Sequence, residues 1–179
     1  MNDKYILCIC EGNFEITIME MLLERHLLPF EKEHLVEEKF IKRGSVANIS
    51  RNYLNRKFDK PVYILRIIDS KSEKFKLSKE YLNKVNKIID IITKPEIEIL
   101  IIISENDYEK FTNSPPEIRR SPSSYCKSEY GMKNVKSKKF VKEYFNDISK
   151  LKIAIKTHRT YTKDNIYMLQ NLLDNKMKL

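Results

Sequence analysis

The sequence predicts an α/β fold: a mostly parallel central sheet flanked by helices, with a helical carboxyl-terminal part. Three observations carry that prediction. Runs at Lys4 to Cys10, Val62 to Ile68 and Glu98 to Ile103 are apolar on successive residues, the pattern of strands buried on both faces. Segments of helical period lie between these runs, and parallel strands need crossover connections of that kind. A chain of 179 residues, 41% apolar and 33% charged, is sized for one globular domain with one core, residues 1–179.

The elements follow in order. Lys4 to Cys10 is a strand ended by Glu11-Gly12, and Asn13 is placed to cap a helix whose apolar face holds Phe14, Ile18, Met21 and Leu22. Pro29 stops it. "HLVEEKFIK" fits a short second strand, and Ser45 is a candidate cap for a helix through "VANISRNYLNRKF". "PVYILRIIDS" begins at a proline, as strands can, and ends in Asp69. Arg66 shares a face with Ile64 and Ile68 and therefore needs a partner if buried.

"SKEYLNKVNKIIDIIT" spaces Leu82, Val85, Ile89 and Ile92 as a helix does, with Ser78 before it. "EIEILIIISEND" then reads as the fourth strand. A Pro- and Ser-rich stretch, "TNSPPEIRRSPSSYCKSEYG", reads as an irregular loop, followed by helices at "KKFVKEYFNDISKL" and "KDNIYMLQNLLDNK". The basic loop and helices over 110–179 belong to the same domain.

Composition narrows the functions. Three glycines argue against a Gly-rich phosphate loop. Cys8, Cys10 and Cys126 are odd in number and lack a Cys-x-x-Cys spacing, so no disulfide framework or zinc knuckle is expected. The amino terminus lacks the apolar core of a signal peptide, and "IEILIII" is too short to span a membrane; the expectation is a cytoplasmic protein without membrane contact. The formal charge of +9 is concentrated: from Lys110 to Lys163 there are 14 Lys and Arg against 4 Asp and Glu. Such a segment is the electrostatic footprint of a nucleic-acid binder, or else a solvated lysine-rich surface. Within it Lys133, Lys136, Lys138 and Lys139 sit near Tyr130 and Phe140, a mixture suited to phosphate contact and base stacking.

The strands at Cys10, Ile68 and Ile103 are each followed by acids. If they are parallel, Glu11, Asp69 and Glu105 meet at one edge of the sheet, where α/β proteins place their ligands. Converging carboxylates repel unless a cation or a raised pKa relieves them, and hard oxygen donors suit magnesium or manganese. Such an ion polarises a phosphoryl oxygen and activates water.

These residues resemble a known family. "EGNFE" has the form Glu-Gly-x-x-Glu, and with the later acidic strand end at Asp69 in "IIDSKSE" it is similar to the Toprim-like domains of topoisomerases, primases and OLD-type nucleases. Within them it resembles most the RloB-type proteins of bacterial defence islands. The resemblance covers roughly residues 4 to 113, "IIISENDYEKF" being similar in place to the family's later acidic segment. It implies a Rossmann-like sheet and a Mg- or Mn-dependent nuclease acting in phage defence, with a larger ATPase as a further partner. It implies metal ligation by Glu11 and Asp69, and Glu15 and Glu105 as further ligands or activators of water. The chain departs from the family where Asp-x-Asp is usual: Asp69-Ser70-Lys71 has a lysine in place of the second acid. Lys71 is then a candidate phosphate contact, and Glu73 a substitute acid. The rival reading is a non-catalytic Toprim-like module that binds nucleic acid or a partner protein. A third is a phosphate-transfer enzyme for small molecules.

Overall fold

A computed structural model describes residues 4–70, 74–119, 121–162 and 166–174. Among them the sheet has four strands, all parallel, in the order β2-β1-β3-β4: β1 Tyr5–Cys10, β2 Ile41–Lys42, β3 Val62–Ile68 and β4 Val85–Ile92. The register pairs Cys10 with Lys42 on one side and with Ile67 on the other. Parallel strands flanked by helices are therefore present, as the apolar runs of β1 and β3 require.

The pleat sends alternate residues to two cores. Ile6, Cys8 and Cys10 of β1, Leu65 and Ile67 of β3 and Ile89 and Ile91 of β4 face the larger one, with helix α1 (Asn13–Glu24). Leu7, Ile9, Val62 and Ile64 face the smaller one, covered by α2 (Val46–Ile49), its π-helical continuation Ser50–Leu54, and Leu77 ahead of α3 (Lys79–Leu82). The larger core also takes α4 (Ile99–Ser104), α5 (Tyr108–Asn113), α6 (Pro122–Tyr130), α7 (Lys138–Tyr144), α8 (Ile148–Thr160) and α9 (Leu169–Leu173). Ser45 caps α2 as expected, accepting from Asn48 N.

Two elements exchange identity relative to the sequence expectation. The segment read as a helix from Ser78 is mostly β4, and the run read as the fourth strand is the helix α4. Val85, Ile88, Ile89 and Ile92 satisfy a helical spacing, but five β-branched residues in eight suit a pleated surface, and pairing with β3 decides for the strand. In α4, Ile99 to Ile103 are all buried, so no polar face marks the helical period.

Smaller corrections have local causes. The second strand shrinks to Ile41–Lys42, preceded by 3-10 turns at Lys32–His34 and Val36–Glu38. Gly12, not Asn13, occupies the cap of α1, because Glu15 reaches back to accept from Gly12 N at 2.9 Å. The Pro- and Ser-rich stretch contains α6, with Ser121 as cap, Pro122 in its first turn and left-handed Gly131 at its end. The helix expected over 138–151 is two, since Asp147 accepts from Ser149 N and starts α8. The last helix is Leu169–Leu173; its expected start at 163–165 and end at 175–176 lie outside the described residues.

Candidate active site

The strand order fixes where a crevice can form. The chain leaves β1 over the larger core through α1 and returns from β2 to β3 over the smaller core through α2. Connections diverge to opposite faces between β1 and β3, and in open parallel sheets ligands bind outside the carboxyl ends at such a divergence. Glu11 follows β1 and Asp69 follows β3. The backbone there is stitched closely: Glu11 N donates to Ile67 O, Arg43 N to Cys10 O and Thr93 N to Ile68 O.

Glu11 spans the crevice. Its Oε2 accepts from Asp69 N at 2.9 Å, and its Oε1 lies 2.6 Å from Arg43 Nη1. Asp69 is half-buried beside it. The two strand-end residues are thus neighbours, joined by the Glu11 carboxylate and the backbone N–H of Asp69.

Glu15 lies behind Glu11 in the first turn of α1, only 7% exposed. Burial pushes its carboxyl up to about 7; the charges of Glu98 and Glu11 add to the rise, and the N–H of Gly12 opposes it. Glu98, 2% exposed at the cap position of α4, is raised as well, mainly by burial. Lys136 Nζ stands 3.4 Å from Glu98 and 3.8 Å from Glu96. Burial alone would lower the lysine's pKa, but Glu98 and Glu96 outweigh it and hold it raised. Glu98 was hidden in the sequence because its run reads as a strand.

Glu105 does not join this group. It ends a helix, accepts a hydrogen bond from the Tyr144 hydroxyl and sits 3.7 Å from Lys150, so α7 and α8 hold it. Lys71 and Glu73 lie outside the described residues. Of the basic cluster, Lys136 is held as above, Lys138 lies 2.6 Å from Glu20, and Lys139 is 3.9 Å from Glu143 one turn on. Lys133 is exposed. Positive charge borders the acids from elsewhere: Lys42 ends β2 as the register partner of Cys10, and Arg43 follows it at Glu11. The sequence signal for Arg43 is its place just after a strand adjacent to β1, readable only once β2 is known to end at Lys42.

Arg66 finds the partner its burial demands. Its Nε and Nη2 each lie 2.7 Å from an oxygen of Asp90, its register partner on β4, and its guanidinium stacks over Phe75. That pair belongs to the scaffold on the smaller-core face.

The fold and site define a parallel α/β protein with two strand-end acids, Glu11 and Asp69, at the divergence of its sheet. In comparison with known proteins, no family model matches the chain, and no curated protein or solved structure matches it either. Among the described residues no group of three or more His, Cys, Asp or Glu is arranged to hold a metal ion, and no helix is long and apolar enough to cross a membrane.

Proposed function

We propose that this is a Toprim-like nuclease that cleaves nucleic-acid phosphodiesters with magnesium or manganese, in the manner of the RloB-type defence proteins it resembles. The observation that carries the reading is the bond from Asp69 N to Glu11 Oε2 at the divergence of the sheet. The residue types suit such an ion, since magnesium is commonly held by one or two carboxylates, the remaining positions being water and substrate phosphate. Glu11 and Asp69 would hold it, and when bound it would polarise a phosphoryl oxygen and acidify water.

The remaining work falls to the chain itself. Glu15, with a carboxyl pushed up to about 7, is suited to exchange a proton near neutral pH. Exposed Lys133 and Lys139 are available to a phosphate backbone, and neutralising it makes binding depend steeply on salt. The test is cleavage of DNA and RNA with either metal. Glu11→Gln and Asp69→Asn should each abolish it while the fold persists.

The second reading, a non-catalytic module that binds nucleic acid or a partner protein, is favoured by a different observation. Both oxygens of Glu11 already have protein partners, and Lys71 stands where the family usually has its second acid. No cleavage with either metal and either nucleic acid selects this reading, whereas cleavage that survives both substitutions removes Glu11 and Asp69 from the activity.

A further inference from the structure

Arg43 is placed where a cation on Glu11 would go. Its Nη1 lies 2.6 Å from Glu11 Oε1, closer than the 2.9 Å that separates Asp69 N from Oε2 of the same carboxylate. Its backbone is pinned to β1 through the bond to Cys10 O at 2.7 Å. The side chain is nevertheless 45% exposed. A rigid backbone with a half-solvated guanidinium describes a group that can change partners without moving the strand beneath it.

The neighbouring arginine shows the contrast. Arg66 is 4% exposed, clamped by both oxygens of Asp90 and stacked on Phe75, so it has no comparable freedom. Arg43 and Arg66 share a small cavity with Gly44 and Phe75, about large enough for one water. A displaced Arg43 side chain cannot retreat into that space. Its way out is toward solvent, where Lys42, the register partner of Cys10, is also exposed.

We propose that Arg43 is the resident counter-ion of the acid pair, displaced when a divalent cation binds Glu11, and that its guanidinium then grips a phosphate of the nucleic-acid strand. This rests on the metal-dependent reading above and deepens it by assigning a substrate-binding residue. The physical reasons are two. A cation and a guanidinium in contact with one carboxylate repel each other, so the metal is bound more weakly while Arg43 is there. A planar guanidinium presents two parallel N–H donors to phosphate oxygens, which a lysine cannot reproduce.

The two halves give effects of opposite sign. Titrated calorimetrically with Mn²⁺ alone, Arg43→Ala should bind the ion about 2- to 5-fold more tightly than the unmodified protein, the range expected from losing a competing, partly exposed ion pair. With Ca²⁺ present, the same variant should bind a fluorescein-labelled single-stranded oligonucleotide more weakly. Arg43→Lys keeps the charge, so its Mn²⁺ affinity should stay near that of the unmodified protein while oligonucleotide binding drops. Should Arg43→Ala fail to fold by circular dichroism, Arg43→Gln serves in its place.

Unchanged or weakened Mn²⁺ affinity in the neutral variants overturns the inference alone, leaving the metal site standing. Oligonucleotide binding equal to that of the unmodified protein likewise removes the phosphate contact. Absence of Mn²⁺ binding from the unmodified protein and from every variant overturns the metal-dependent reading and this inference with it.

Discussion

Replacing Glu15 with glutamine should make the protein more stable at high pH and leave it nearly unchanged at low pH. The side chain is 7% exposed and its carboxyl is pushed from the ordinary 4.5 to about 7, first by burial and then by Glu98 and Glu11. Below pH 4.5 the group is protonated in both the folded and unfolded chain and costs nothing. Between 4.5 and 7 the unfolded chain releases the proton first, so stability falls as pH rises. Above 7 the fold carries the whole penalty: the gap, at about 1.36 kcal/mol for each pH unit, amounts to about 3 kcal/mol. By the same linkage the penalty at pH 5 is about 1 kcal/mol. Glutamine can still accept from Gly12 N, so the helix start is kept. Urea denaturation at pH 5 and pH 8 should therefore show a variant advantage larger by about 2 kcal/mol at pH 8. An equal difference at both pH values would refute the claim that a desolvated carboxylate lies behind Glu11.

Three further outcomes are expected. Gly12→Ala places a Cβ 3.1 Å from Glu15 Oε2 and should weaken the start of α1 by about 1 kcal/mol in chemical denaturation. Asp90→Ala removes the carboxylate that clamps the buried Arg66 guanidinium and should cost about 3 kcal/mol, most of it recovered by adding Arg66→Met; a thermal midpoint unmoved by Asp90→Ala would contradict this. Lys133→Glu with Lys139→Glu should weaken oligonucleotide binding similarly across sequences and flatten its salt slope by about one for each phosphate no longer neutralised, whereas Lys136→Glu should unfold the protein more easily by setting a third acid beside Glu96 and Glu98.

The part of the fold legible in the sequence is the part in which burial and local pattern agree. β1 and β3 are apolar on both faces and punctuated by Glu-Gly and Asp-Ser, and α1 shows a stripe, so all three are readable. β4 and α4 are not, because short Ile-rich runs fit either period and only the neighbours decide: β3 supplies a ladder for Val85–Ile92, and the larger core surrounds Ile99–Ser104. Exchanging the two leaves the strand count intact but not the site. It sends Glu105 to the crevice and conceals Glu98, whereas Glu11 and Asp69, attached to the two well-marked strands, are found where the pattern puts them. Arg43 and Lys136 meet their acids from distant parts of the chain, so no local spacing announces either pair.

The most direct test of metal binding at the acid pair is a crystal of the protein soaked in manganese and measured for anomalous scattering. The expected result is a peak within coordination distance of Glu11 and Asp69 at the carboxyl ends of β1 and β3, with the Arg43 guanidinium turned away from Glu11. A map without a peak there, with Arg43 still bonded to Glu11 Oε1 at saturating manganese, would contradict it.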